Sequence, residues 1–275
     1  MLREESLFED VSLPCAAPEN SLPLTIDCHG SEVYGRILLP ARVCADETAP
    51  VALMLHGYPG WETLPDVHHA LRRAGIAVAY FNFRGVWGSH GTYSFTHLIE
   101  DAACVLQHLR DHATEYYIDP EHIYLIGYSM GGFTALHTIA NGENVRGAVL
   151  VSPCDIGEIY FSDKTTYEML MARQSLGCFQ LSAPDILARE TEEHAETWRF
   201  LATLDRIPAE MPIHFIGATL DETTPPALNI HPLYNALTQR GQPTSYVETE
   251  DKHSYNIHRI WLTRQIFRCI KDMEQ

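Results

Sequence analysis

Ser129 lies within Gly-Tyr-Ser-Met-Gly-Gly, residues 127–132. The apolar run Ile123 to Ile126 precedes it, and Phe133, Leu136 and Ile139 follow at helical spacing. A serine flanked by glycines at a strand-to-helix turn is pushed clear of the backbone, where its hydroxyl can attack an electrophile. The plain alternative is a serine that only caps a helix. The two readings diverge in whether a base and an acid can converge on it.

A serine hydroxyl becomes nucleophilic when an imidazole takes its proton and a carboxylate holds that imidazole in the right tautomer. Asp221 follows the apolar stretch IHFIGA and precedes ETTPP, which puts it in a loop at the carboxyl end of a strand, where open α/β sheets bind ligands. Asp155, after the strand Val145 to Val151, is the rival acid, and Asp221 could instead be a turn residue before the helix at Pro226. His253, in EDKHSY, falls between the last strand and the last helix and completes the order serine, acid, histidine. That position selects it from 15 histidines. His231 and His258 fall inside expected helices, and His56 reads as a loop-stabilising residue.

Acyl transfer also needs two donors for the oxyanion that forms at the carbonyl. The amide of Met130 follows the nucleophile at a helix N-terminus, where free N–H groups favour an anion. The second donor is expected from the loop HGYPG, residues 56–60, as the amide of Tyr58. Both are backbone groups, so their side chains leave no chemical signature.

The elements that must position these residues alternate along the chain. Leu22 to Asp27 and Val33 to Leu39 read as an antiparallel hairpin around HGSE. Strands are expected at Val51 to Leu55, Ile76 to Phe81, Ile123 to Ile126, Val145 to Val151, Ile213 to Ile216 and Ser245 to Val247. Helices are expected over Glu62 to Ala74, Phe95 to His112, the stretch after Ser129, Pro226 to Arg240 and Ser254 to Met273. This rhythm predicts a layered α/β sheet covered on both faces.

About sixty residues separate the strand ending near Val151 from the one starting near Ile213, far more than an ordinary connection. They read as helical pieces, Ile156 to Phe161, Tyr167 to Phe179 and Pro184 to Leu204. The expected organisation is one domain over 1–275 in which 155–208 is an inserted helical cap. Tyr160, Phe161, Tyr167, Met171 and Phe179 of that cap are candidate pocket residues, with packing of the cap's own core as the plain alternative; Trp87, in the loop NFRGVWGSHGTYS, is a further candidate, with packing against the neighbouring helix as its alternative. Arg84 is expected to brace the Trp87 loop.

Composition narrows the function classes. The 275 residues are 45% hydrophobic and 20% charged, as in an ordinary globular protein. A formal net charge of -17 opposes polyanions, so no nucleic-acid partner is expected. No apolar run approaches the roughly 20 residues that span a bilayer, so no membrane partner is expected either. The opening MLREESLFEDVSLPC lacks the pattern of a secretory signal, and the seven cysteines (15, 28, 44, 104, 154, 178 and 269) are scattered, which fits reduced thiols in a cytoplasm. No His or Cys spacing suggests a metal. A homodimer stays open as the oligomeric state.

The stretches HGYPG, NFRGVWGS, GYSMGG, the Asp221 loop and DKHSY together resemble the α/β-hydrolase superfamily, near its prolyl oligopeptidase-like and dienelactone hydrolase-like branches and small carboxylesterases of the feruloyl esterase type. The resemblance runs from about Val51 to the C-terminus. It implies a mainly parallel eight-stranded sheet, a Ser129, Asp221, His253 triad, an oxyanion hole of the Tyr58 and Met130 amides, and no cofactor. Prolyl oligopeptidases proper carry a large β-propeller, for which the residues before Val51 are too few. Dienelactone hydrolases proper use a cysteine, and related dehalogenases an aspartate, where this chain has Ser129. The expected activity is hydrolysis of a small carboxylic ester through an acyl-serine. Cleavage of short peptides and ligand binding without catalysis are the alternatives.

Overall fold

The computed structural model describes residues 2–10, 21–40 and 47–274. Cys15, Cys44 and part of the opening segment lie outside them. Eight strands form one sheet in the order β1-β2-β4-β3-β5-β6-β7-β8. They are β1 (Ser21–Cys28), β2 (Ser31–Leu38), β3 (Ala49–Leu55), β4 (Ala77–Phe81), β5 (Ile118–Tyr128), β6 (Gly147–Val151), β7 (Ile213–Ala218) and β8 (Thr244–Thr249). β1 and β2 form the expected hairpin and β2 is antiparallel to β4, whereas every pairing from β4 through β8 is parallel.

Burial follows from position in the sheet. The edge strand β1 alternates exposed and buried residues towards its end and tolerates Pro23, because an edge need not donate on both sides. The central strands β3, β4 and β6 are covered on both faces, so they read as unbroken apolar runs. In β3, Val51, Leu53 and Leu55 join the core on one face, while Ala52 and Met54 join the core on the other. The first face carries α2 (Phe95–Asp111), α3 (Met130–Ala140) and α8 (His231–Gln239); the second carries α1 (Pro65–Arg73) and α9 (Arg259–Met273). Among the described residues, no helix is long and apolar enough to cross a membrane.

Several boundaries differ from the sequence expectation for local reasons. α1 starts at Pro65 rather than Glu62, and the Glu62 side chain instead accepts the amide of Leu64 at 2.7 Å. The stretch expected as one helix from Pro226 to Arg240 is two, α7 (Pro226–Asn229) and α8, broken at Ile230. Pro232 explains the break, since a proline inside a continuous helix lacks an N–H and clashes with the preceding turn. α9 starts at Arg259, because Asp251 accepts the amides of Ile257 and His258 at 3.1 and 2.9 Å and ends the preceding loop. His258 therefore lies at the cap of α9 and not within it.

Between β6 and β7 the chain passes through α4 (Ile156–Ser162), α5 (Lys164–Ala172), a 3-10 turn (Arg173–Leu176), α6 (Ile186–Trp198) and a second 3-10 turn (Phe200–Arg206). Tyr167 to Phe179 is thus not one helix: α5 ends at Ala172, and Gly177, at φ +72°, supplies the left-handed residue that redirects the chain. Beyond it, the Gln180 amide donates to the Gly85 carbonyl at 2.8 Å and the Gln180 carbonyl accepts from the Tyr93 amide at 2.7 Å, tying this segment to the Trp87 loop.

Candidate active site

Parallel strands deliver their carboxyl ends to one edge of the sheet, and that edge collects the candidate residues. The loop HGYPG follows β3, Ser129 follows β5, Asp155 follows β6, Asp221 follows β7 and His253 follows β8.

Ser129 occupies the turn between β5 and α3 with φ 55° and ψ -120°, a conformation that side chains rarely adopt. Its surroundings fix it there. Its amide donates to Val151 at 2.9 Å, and its carbonyl accepts from Gly132 and Cys154 at 2.8 and 3.0 Å. The glycines are required by space: a methyl group on Gly131 would lie 1.9 Å from the Leu55 carbonyl, and one on Gly127 would lie 2.3 Å from the Gly131 carbonyl. The plain reading of Ser129 as a helix cap fails on a direct observation, because its side chain makes no capping bond to α3.

The hydroxyl is engaged elsewhere. Ser129 Oγ lies 3.0 Å from His253 Nε2, and His253 Nδ1 lies 2.7 Å from Asp221 Oδ2. The three sequence-predicted side chains therefore converge, although β5, β7 and β8 carry them. His253 is backed by Tyr128, whose hydroxyl donates to the His253 carbonyl at 3.1 Å and whose ring centroid is 5.2 Å from the imidazole.

Asp221 is buried, and burial pushes its carboxyl upward. The hydrogen bonds from His253 and Thr224 more than offset this and hold it below the usual carboxylate value, so it stays ionised. Its Oδ1 accepts the amides of Thr223 and Thr224, both at 2.9 Å. Thr224 was not singled out in the sequence. Its hydroxyl lies 2.9 Å from Asp221 Oδ2, 3.0 Å from the Ser152 carbonyl and 3.1 Å from His253 Nδ1. An aspartate closing a turn onto the residues after it is a readable signal, and D-E-T-T carried it.

The rival acid, Asp155, is committed to structure. It caps α4 by accepting the amide of Glu158 at 3.0 Å and also accepts the amide of Phe200 at 2.9 Å. Burial raises its carboxyl to about 7 despite those two bonds.

Met130 opens α3, so its amide is one of the N–H groups that no intrahelical carbonyl can satisfy. The HGYPG loop approaches the same point: a methyl group on Gly57 would lie 3.0 Å from Ser129 Cβ. Next in sequence, Tyr58 is buried with its ring stacked on Phe179 at 5.2 Å and beside Tyr93 at 5.9 Å. His56 turns its Nδ1 to the Gly57 carbonyl at 2.8 Å, in keeping with a loop-stabilising part, and burial lowers it to about 4.

The candidate pocket residues separate into groups. Trp87 is half-exposed and its Nε1 donates to the Pro59 carbonyl at 3.1 Å, which places it against the HGYPG loop. Phe179 reaches the same loop by stacking on Tyr58, and with Met171 it also lines an open groove of about 630 Å³ beside Gln174 and Leu181. Tyr160, Phe161 and Tyr167 instead pack on one another within the insert, with the Arg199 guanidinium 5.9 Å from the Phe161 ring centre. Arg84 braces the Trp87 loop as expected, paired with Asp101 and, at 2.6 Å, with Glu100.

The sequence matches the model of the alpha/beta hydrolase family over residues 52–272. No curated protein matches it. Among solved structures it is similar to Est1E from Butyrivibrio proteoclasticus, at 17% identity and a TM-score of 0.67, covering 92% of this chain and 98% of that one. An esterase from Pyrobaculum calidifontis is 20% identical with a TM-score of 0.68, covering 92% of this chain and 86% of that one. The acylaminoacyl peptidase of Pyrococcus horikoshii is 16% identical with a TM-score of 0.68, but 93% of this chain covers only 41% of the peptidase. With a family match spanning most of the chain, on an eight-stranded, mainly parallel sheet, the protein belongs to the alpha/beta hydrolase family.

Proposed function

We propose that the protein hydrolyses a small carboxylic ester through an acyl intermediate on Ser129. The observation that carries this reading is the continuous relay from Ser129 Oγ to His253 at 3.0 Å and on to Asp221 at 2.7 Å, set on a turn whose backbone holds the serine out. With Asp221 ionised, the imidazole is held with its proton on Nδ1 and its Nε2 lone pair towards Ser129.

As Ser129 Oγ attacks the acyl carbon, its proton passes to His253 Nε2, and Asp221 stabilises the imidazolium. The carbonyl oxygen becomes an oxyanion between the amides of Tyr58 and Met130. His253 then returns the proton to the leaving alkoxide, which departs as an alcohol. A water activated by His253 attacks the acyl-Ser129 ester in the same way, releasing the acid and the free serine.

In this reading the insert between β6 and β7 acts as a cap, and Trp87 and Phe179 wall the cleft beside the HGYPG loop. Met171 continues that wall along the groove, while Tyr160, Phe161 and Tyr167 form the upper cap. An ester is favoured over a peptide because the similarity to Est1E takes in 98% of that chain, whereas most of the acylaminoacyl peptidase lies outside the match.

The test is labelling and turnover. A fluorophosphonate is expected to modify Ser129 in the parent and not in Ser129→Ala, and short-chain and aryl esters are expected to be hydrolysed faster than matched amides. The absence of both Ser129 labelling and ester turnover would remove the hydrolase reading, and faster cleavage of the amides would make the protein a peptidase.

A further inference from the structure

The chain has 36 acidic residues against 19 lysines and arginines, and several of its partly buried arginines are spent on carboxylates. Arg84 pairs with Glu100 and Asp101, Arg110 with Glu143, Arg199 with Glu158, and Arg259 with Glu62 and Asp66. Arg173 differs. Among the described residues no carboxylate forms an ion pair with it, and its one hydrogen bond runs from Nη1 to the carbonyl of Tyr58 at 3.0 Å.

That bond fixes where the charge sits. Arg173 belongs to the 3-10 turn of the insert, 115 residues from Tyr58 in sequence. Tyr58 adjoins Gly57, the residue whose added methyl group would meet Ser129 Cβ at 3.0 Å. Burial pushes the Tyr128 hydroxyl and the Cys154 thiol upward, and the Arg173 guanidinium lies close enough to both to offset a small part of that rise. Tyr128 precedes the serine, and the Cys154 amide donates to the Ser129 carbonyl at 3.0 Å. One half-buried cation therefore faces the candidate active site, bonded to its loop through a neutral carbonyl and with most of its donors left over.

Resting on the ester-hydrolase reading, we propose that Arg173 binds a carboxylate carried on the acyl part of the substrate, which makes the preferred substrate class the hemiesters of dicarboxylic acids. The leaving oxygen must face His253 to receive its proton and the oxyanion must face the Tyr58 and Met130 amides, so the acyl chain takes the remaining direction, which in this proposal is the side of the Tyr58 loop where Arg173 is held. A planar guanidinium suits a carboxylate because it offers paired N–H donors in a fixed fork. In a chain of net charge -17 an anionic substrate meets long-range repulsion, so its recognition needs a local cation of this kind.

The experiment compares kcat/KM for phenyl hemiadipate and phenyl heptanoate, which have acyl chains of similar length with and without the terminal charge. A third substrate, the heptanoate ester of para-hydroxybenzoate, carries the carboxylate on the leaving group. The parent is expected to favour the hemiadipate by about 10- to 100-fold, the range of a hydrogen-bonded charge pair. Arg173→Gln should collapse that ratio, and Arg173→Lys should restore part of it. Equal losses on both substrates would show that Arg173 only anchors the insert, and an unchanged ratio or a preference for the leaving-group carboxylate would overturn the proposal. Calorimetry with adipate and Ser129→Ala protein supplies a readout independent of turnover. Binding that disappears in the Ser129→Ala, Arg173→Gln double variant supports the Arg173 site even if Ser129 resists fluorophosphonate and no ester is cleaved, an outcome that would remove only the hydrolase reading. No adipate binding would overturn the Arg173 site.

Discussion

Thr224 Oγ lies 2.9 Å from Asp221 Oδ2, the oxygen that also lies 2.7 Å from His253 Nδ1. The threonine is fully buried, and its hydroxyl also reaches the Ser152 carbonyl at 3.0 Å, so it ties the acid to the end of the neighbouring strand. Thr224→Val keeps the shape and removes the hydroxyl. It is expected to lower kcat by about 10-fold while costing about 1 kcal/mol of stability, the typical effect of one lost hydrogen bond. Steady-state kinetics beside urea unfolding check both, and an unchanged kcat would show that Asp221 needs only its backbone donors.

The two acids should fail in different ways. Asp221→Asn removes the ionised partner of His253 and is expected to lower kcat by about three to four orders of magnitude with the fold intact. Asp155→Asn leaves the relay untouched but replaces one of the two oxygens that accept the Glu158 and Phe200 amides. It should cost about 1–3 kcal/mol of stability, because a buried donor loses its acceptor. Full activity in Asp221→Asn together with inactive Asp155→Asn would reverse the assignment.

Glycines at the elbow and in the facing loop predict a graded response. At Gly131 a methyl group would collide with the Leu55 backbone carbonyl at 1.9 Å, so Gly131→Ala should destabilise by about 1–3 kcal/mol and also distort the nucleophile turn. At Gly57 the clash is milder, 3.0 Å to Ser129 Cβ, and the loop can yield. Gly57→Ala should therefore keep most of its stability yet lose up to about 100-fold in kcat, as expected for oxyanion donors displaced by a fraction of an ångström to one ångström. Thermal melts and ester turnover separate the two.

Acid stability should follow buried histidines. Burial lowers His56 to about 4, His68 to about 4 and His137 to about 3. In the unfolded chain these residues titrate near the ordinary value of about 6.5. Between those limits the unfolded state binds more protons, so stability is full above about pH 6.5 and is lost as pH falls. Asp155, raised to about 7, works in the opposite sense, since its contribution is lost as pH rises through that value. The largest shifts in this pH range thus set these three histidines against one carboxyl, with His108 and His214 also lowered by burial and Asp101 also raised, and urea unfolding should show a net loss on the order of several kcal/mol between pH 7 and pH 4. A flat profile would contradict this account.

The sequence by itself determined the framework and the convergence. Unbroken apolar runs at β3, β5, β6 and β7 announce strands covered on both faces, and parallel strands must send their following loops to one edge. Ser129 and Asp221 follow such runs, while His253 follows the half-exposed edge strand β8 and is marked by its place between that strand and the last helix, so their meeting was legible from chain order. The glycines around Ser129 were equally legible, because close packing against Leu55 and Pro153 leaves no room for a side chain.

Tertiary structure alone decided which of the remaining residues reach the site. Asp155 and Asp221 both follow a strand of the parallel sheet, and what settles their parts is that Phe200 and Glu158 claim one and His253 claims the other. The aromatic residues of the insert look alike in sequence, yet Phe179 stacks on Tyr58 while Tyr160, Phe161 and Tyr167 pack together, because Gly177 redirects the chain after α5. Arg173 meets Tyr58 across 115 residues. Periodicity records how a segment covers its own sheet face, but which side chain of a long insert descends onto a distant loop depends on how all the intervening helices pack.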